Sequence, residues 1–486
     1  MSSHTCILLG AAALLLAGCH PDAPEGSLVL TQTPVGIPPP PSATVLDVRY
    51  PPGSRVVLLV PPFRADTVRE LSHGLVAAGD PCVSWDGRWV YFAGKGTDEA
   101  AWQIYRVNVG GGQPELVTRM PGGAMDPSIE AHGELVFSSP VPKAGRLSTP
   151  SEPAALYGQM PGHEPSRLTF GTESAVDSTV LRDGRVLFVT SGARGDGRSP
   201  RHLSLFTINN DGTEVTAYAC VDGGEDIVRR PRELGDGRIA FLASRSEGPG
   251  TVGWAEFVRS SAPFATRSSL FAFHGAGCRS VEPMSGEDVL ACIETSAGGG
   301  RSMMRNAKVF RVGADAAAIG APIFDDPQWN SIEATPVAAR AEPNGHTSAV
   351  MPGAPYGTLL CLNVNDGSEP AADGNPAPAA ELRVFASVGS GVRRTLGTVP
   401  VDSDGSVIVQ LPADVPLGLD TLDAQGHVLR HQPALLWLRP GENRACIGCH
   451  EQRNHAPRNI RPLATMHGPA HLTLNGPTTV PHATTP

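Results

Sequence analysis

Apolar and polar residues alternate in short runs along most of this chain, and turn residues interrupt the runs every few positions. After Asp80-Pro81 comes Cys82-Val83-Ser84-Trp85, then an Asp86-Gly87 turn, then Trp89-Val90-Tyr91-Phe92. A loop, Ile104-Tyr105-Arg106-Val107, a Gly110-Gly111-Gly112 turn and Glu115-Leu116-Val117-Thr118 follow. An Asp-Gly pair between apolar runs is a strong hairpin signal, because the primed turns need positive φ. The stretch therefore predicts four short antiparallel strands. The pattern returns at intervals of about fifty residues, opening at Pro81, Pro127, Ser178, Pro231, Pro283 and Pro336. Its second strand recurs as Leu135-Val136-Phe137, Val186-Leu187-Phe188, Ile239-Ala240-Phe241 and Val289-Leu290-Ala291, and its third around Tyr157, Phe206, Phe271, Phe310 and Leu360. Units of four strands at this period are the signature of propeller blades. Six of them predict a six-bladed β-propeller over residues 53–365. Arg55 to Val60, a strand ahead of the first unit, is expected to complete the last blade.

The units resemble TolB-type propeller repeats, most closely from Asp80-Pro81 to Asp86-Gly87 and at Ile104-Tyr105; the fifth and sixth are degenerate. Within a blade, Trp85, Trp89, Tyr91 and Phe92 read as core, and Asp80, Asp126 and Asp177, at matching positions, as turn or loop caps. A Gly/Pro/Ala/Asp-rich stretch, residues 366–380, reads as a linker. Beyond it, Leu382-Arg383-Val384-Phe385, Thr398 to Val401, an Asp404-Gly405 turn, Ser406 to Leu411, Leu419 to Asp423 and Val428-Leu429 predict a small β-sandwich-like domain over 381–450. The expected fold class is all-β.

Composition agrees. The chain has 55 glycines and 46 prolines in 486 residues, which suits turn-rich β-structure and excludes a coiled coil or helical bundle. With 41% hydrophobic and 18% charged residues it can bury enough apolar surface to fold. A net charge of −10 and the lack of a basic stripe set nucleic acid aside.

The N-terminus changes the picture of where this happens. Ile7 to Ala17 is apolar, too short to span a bilayer, and ends in small residues as a cleavable export signal does. Its ending, Leu16-Ala17-Gly18-Cys19, resembles the bacterial lipobox, which implies a signal peptide over 1–18 and a lipid on Cys19. Residues 19–52, rich in proline, read as an extended stalk. The expected location is the cell envelope, lipid-anchored at the outer membrane and facing the periplasm.

One motif carries chemistry. Cys446-Ile447-Gly448-Cys449-His450 is a Cys-x-x-Cys-His, the attachment sequence for c-type haem. Two thiols reach two vinyl groups as thioethers, and the adjacent imidazole reaches the iron. The expected cofactor is one covalent haem c, with Cys446 and Cys449 as links and His450 as the proximal iron ligand. A zinc site using Cys446, Cys449 and His455, and a redox or disulfide pair, are the alternatives. In the tail, 451–486, read as flexible, Met466, His467 and His471 are candidate sixth ligands, along with His455. Arg453, Arg458 and Arg461 could pair with propionates. Cys82, Cys220, Cys278, Cys292 and Cys361 remain; Cys278 and Cys292 could bridge neighbouring strands, and buried thiols are the plainer reading.

The order of parts resembles the hydrazine synthase alpha-subunit family. The residues that carry this are Gly357 to Cys361, Gly405-Ser406-Val407 leading to Leu411-Pro412-Ala413-Asp414-Val415-Pro416-Leu417, Leu422-Asp423-Ala424-Gln425-Gly426, and Leu438-Arg439-Pro440-Gly441-Glu442 before Cys446. The resemblance implies a six-bladed propeller, then a haem-bearing middle domain with an accessible haem, and redox chemistry of nitrogen compounds. The family's second Cys-x-x-Cys-His, in its C-terminal cytochrome domain, has no counterpart in this sequence. The leading expectation is an exported, lipid-anchored monohaem protein in electron transfer or small-molecule redox chemistry, with a redox protein as possible partner. A non-catalytic envelope propeller that binds a partner, with a structural or sensing haem, and a haem enzyme with an open sixth position are the rivals.

Overall fold

The computed structural model describes residues 23–37, 50–141, 153–191, 203–219, 227–245, 253–271, 277–296, 305–313, 319–367, 378–387, 392–448, 456 and 459–472. Among them the regular secondary structure is nearly all strand, with a few short 3-10 turns. Six sheets form a closed ring. Their innermost strands are Ala77–Val83, Met125–Ile129, Ala175–Val180, Ile227–Glu233, Gly277–Pro283 and Trp329–Pro336, each packed beside the next and the last beside the first. The six-bladed propeller is thus present.

Each blade is held by matched faces. Phe92, Phe137, Phe188 and Phe241, on the second strands of blades one to four, are fully buried. Phe92 lies opposite Tyr105, Phe137 opposite Tyr157 and Phe188 opposite Phe206, with ring centroids 6.2, 6.0 and 6.3 Å apart. Such directly opposed pairs are the unit of sheet stabilisation. Trp85, Trp89 and Tyr91, expected in the core with Phe92, are only half-buried. Trp89 instead carries the Arg106 guanidinium 4.7 Å above its ring.

Several further features differ from the sequence reading. Closure takes three N-terminal strands, not one: Leu28–Pro34, Arg55–Leu59 and Val68–Glu70 line up outside Trp329–Pro336. Leu28–Pro34 falls within the stretch read as a stalk, yet Val29 and Leu30 are completely buried. The register of the last two blades is also shifted. In blades one to four a bulge at Asp80, Asp126, Asp177 and Arg230 precedes a positive-φ turn glycine by seven residues (Gly87, Gly133, Gly184, Gly237). The same bulge in blade five is at Arg279, seven before Gly286, so Pro283 is not the repeat mark. In blade six it falls at Ile332 rather than beside Pro336. Third, the blade-four third strand is Trp254–Arg259, and Phe271 follows the fourth. Fourth, Leu360 belongs to Tyr356–Cys361, which pairs with the second domain.

That domain is a two-sheet sandwich beginning at Tyr356. One sheet has the order Val407–Pro412, Tyr356–Cys361, Asn443–Cys446; the other is Arg393–Pro400, Glu381–Ser387, Leu417–Leu422, Val428–Leu436. Leu359, Val384, Val409, Leu411, Leu417 and Leu438 fill the space between them. The stretch 366–380 therefore falls, in sequence, between two strands of the sandwich rather than between the two units. The propeller ends near Pro336, and residues 337–355 form a strap across one face of it. Arg340 donates to the Trp85 and Val83 carbonyls (2.7 and 2.6 Å) and stacks on Trp85; Asn344 N–H donates to Arg182 O (3.0 Å); Ala349 N–H donates to Asp211 (2.8 Å). Gly184 has no room for a side chain under this strap, since a Cβ would sit 2.1 Å from Asn344 O.

Candidate functional site

Asn443–Cys446 is the third strand of the smaller sheet and runs parallel to Tyr356–Cys361. The ladder continues into the motif: Leu362 N–H donates to Cys446 O (2.9 Å) and Asn363 N–H to Ile447 O (3.0 Å). Gly448 is buried against the next turn, where a Cβ would meet Asp366 O at 2.3 Å, so the second spacer position of the motif admits only glycine there. The half-buried Cys446 packs against the sandwich core, with Cys361 beside it in register. Cys449 and His450 lie outside the described residues, as do His455, Arg453, Arg458, Cys19 and Cys220.

The tail returns to the same end of the sheet. Leu463–Met466 forms a 3-10 turn whose Leu463 and Ala464 N–H groups donate to Asp404 Oδ2 (2.8 Å) and Ser406 Oγ (2.9 Å). Ala470 then exchanges hydrogen bonds with Ile408 and Gln410. Residues 459–472, expected to be flexible, are thus laid along the edge of Val407–Pro412. The Asp402–Ser406 turn leads into Val407, which pairs with Cys361, which pairs with Cys446, so tail and motif share one end of the sheet. Of the sixth-ligand candidates, Met466 is 64% exposed, His471 is exposed, and His467 Nε2 is held by Asp402 Oδ2 at 2.9 Å. Ile460 and Leu463 add exposed apolar surface beside Met466. The tail lies along the outer edge of Val407–Pro412, with Tyr356–Cys361 between that strand and the one that carries Cys446, so the motif and the exposed apolar residues of the tail share an end of the sheet on opposite edges of it. The sequence pattern did not mark Asp402, Asp404 and Ser406 as the residues that hold the tail: Ser406 Oγ donates to Asp404 Oδ1 (2.6 Å), and the three then engage His467, Leu463 and Ala464.

The propeller axis holds a second polar cluster. Asp80 Oδ2 accepts Asp126 N–H (2.8 Å), Asp126 Oδ2 accepts Asp177 N–H (3.2 Å), Asp177 Oδ2 accepts Arg230 N–H (3.1 Å), and Glu333 Oε2 accepts Asp80 N–H (2.9 Å). Arg230 pairs with Glu333 across the ring, and Tyr50 donates to Glu333 Oε1 (2.5 Å). Burial works to raise the Glu333 carboxyl, but Arg230, Thr31, Tyr50 and Asp80 outweigh it and hold it below its ordinary value. The aspartates, expected as turn or loop caps, stand instead at bulges within the innermost strands and cap the bulge amide of the next blade, with Glu333 completing the set. Burial pushes the Cys82 thiol up to about 11, Cys278 to about 12 and Cys292 higher still. Cys278 and Cys292 remain thiols whose side chains enter different core clusters.

The middle-domain model of the hydrazine synthase alpha subunit matches residues 365–451, which span most of the sandwich and the motif. The hydrazine synthase subunit alpha of Kuenenia stuttgartiensis is 23% identical over 85% of this chain. The chain is similar to hydrazine synthase alpha subunits. It spans 65% of that relative's length. The solved Kuenenia stuttgartiensis hydrazine synthase superposes on the alpha-subunit-like chain with a TM-score of 0.78 at 20% identity, covering 91% of this chain and 72% of the other. TolB from Acinetobacter baumannii aligns over 64% of this chain and 67% of its own, at 13% identity and a TM-score of 0.39.

Proposed function

We propose that this alpha-subunit-like protein is an exported, lipid-anchored monohaem c-type protein working in electron transfer or small-molecule redox chemistry. The observation that carries the reading is the Cys446 to His450 motif, whose first three residues are clamped into the sheet of the domain matched by the alpha-subunit model. Cys446 and Cys449 are the covalent links and His450 the proximal ligand. A haem bound there supplies a one-electron couple whose potential follows its axial ligand and burial. The protein's own part is positional: the parallel ladder fixes Cys446, and the tail runs along the other edge of the same sheet. With His467 engaged by Asp402, an open or weakly held sixth position is the better reading, and it favours small-molecule chemistry. Because the relative is named as a subunit, assembly with other protein chains belongs to the proposal, as does anchoring through Cys19.

The full chain made in a host with haem-attachment machinery should give a peroxidase-stained band after denaturing electrophoresis, lost in Cys446→Ala/Cys449→Ala. The reduced protein should bind carbon monoxide readily. A colourless wild type that carries zinc would overturn the haem reading. A methionine–iron band that disappears in Met466→Ala would overturn the open site.

A further inference from the structure

We propose that Cys361 is a partner thiol for Cys446, and that the two close to a disulfide in the chain that carries no haem. They are register partners on adjacent parallel strands and pack in the same core cluster, so their side chains leave the sheet on one side. Adjacent strands stand about 4.8 Å apart, within the roughly 4.4–6.8 Å between Cα atoms that a disulfide spans. The hydrogen bond from Leu362 N–H to Cys446 O keeps the two strand ends together. Burial is unequal: Cys361 is 4% exposed, whereas Cys446 is half-buried.

The chemistry follows from that asymmetry. Cys446, as thiolate, attacks an external disulfide of the thiol–disulfide exchange class; the external S–S bond breaks and one thiol leaves. Cys361, as thiolate, then attacks the Cys446 sulfur and expels the second external thiol. Two protons leave the cysteines, two electrons reduce the external disulfide, and one S–S bond joins the strands. While it is closed, Cys446 has no thiol for a vinyl group. Only this last consequence rests on the haem reading.

The test uses the full chain made in a host without haem-attachment machinery, treated with oxidised glutathione, alkylated and mapped by mass spectrometry. The expected product is a peptide cross-linked between Cys361 and Cys446, formed also in Cys449→Ser and reversed by dithiothreitol. A wild type that yields only a Cys446–Cys449 bond, with Cys361 still alkylatable after unfolding, overturns the proposal; so does Cys449→Ser with both thiols intact. Both results use chains that keep Cys361, so they do not depend on how Cys361→Ser folds. In a haem-attaching host, absence of stain from wild type strikes the haem reading and leaves the mapped bond as it stands.

Discussion

Glu130 is the clearest case of a residue whose charge the fold opposes. It is 3% exposed, at the blade-two turn under the Trp85 indole, and its Oε1 has no hydrogen-bond partner. Burial, with the nearby Glu134 and Asp211 carboxylates, pushes its pKa up from 4.5 to about 8 although the Asn210 side chain works the other way. The folded state therefore holds a proton that the unfolded chain releases between about pH 4.5 and 8. Stability falls as pH rises through that window, by a few kcal/mol at most. Glu130→Gln, neutral at every pH, should flatten this loss: melting temperature raised by several degrees at pH 8.5 and nearly unchanged at pH 5. Equal effects at both pH values would rule the account out. Nothing in the sequence marks Glu130, because its pKa arises from burial where its own turn meets Asn210 and Asp211 of the neighbouring blade. Asp80, Asp126 and Asp177 were legible as a matched set from their repeat position, but not as caps of the next blade's bulge amide, because that partner lies about fifty residues away in sequence.

Strand Leu28–Pro34 was hidden for a physical reason. The alternation that reveals a strand needs one wet face, and here Leu28, Val29, Leu30, Thr31 and Gln32 are all buried, between Arg55–Leu59 and Trp329–Pro336. Flanking prolines then made the stretch look like stalk. Leu30→Ala should cost about 2–5 kcal/mol, as truncation of a fully buried leucine does, where a stalk residue would cost under about 0.5 kcal/mol. Urea unfolding of the two proteins measures the difference, and an unchanged midpoint would return the segment to the stalk. The same logic explains the slipped register of the last blades. Proline is the loudest local signal in Pro283 and Pro336, but the repeat is set by the bulge, which at Arg279 and Ile332 carries neither the aspartate nor the proline of the earlier blades. The Cys446 to His450 motif, being local and contiguous, needed no such context.

At the scale of the whole molecule, the boundary between the units was misplaced because the strap looks like another degenerate blade while the Gly/Pro-rich stretch falls, in sequence, between two strands of the sandwich. The two units are joined by the strap and one compact contact. Trp437 is 4% exposed, packs with Leu168, Phe170, Phe206 and Val215 of blades two and three, and donates to Gly212 O at 3.1 Å. Arg439 Nη1 donates to Arg167 O (2.7 Å), and both guanidiniums lie 4.7 Å from the Phe170 ring. Glu442 joins the two sides by accepting Glu214 N–H (3.0 Å) and Arg439 N–H (2.7 Å). The strand that carries Cys446 begins at the next residue, so this contact sets where the motif stands relative to the propeller. Truncating a buried tryptophan costs about 3–5 kcal/mol, and here most of that falls on the contact between the units rather than on either core. Trp437→Ala should therefore split unfolding into two calorimetric transitions, the sandwich melting first, while the covalent attachment chemistry of the motif is retained. A single transition at the wild-type temperature would mean that the strap alone couples the two units and that Trp437 contributes little to placing the motif.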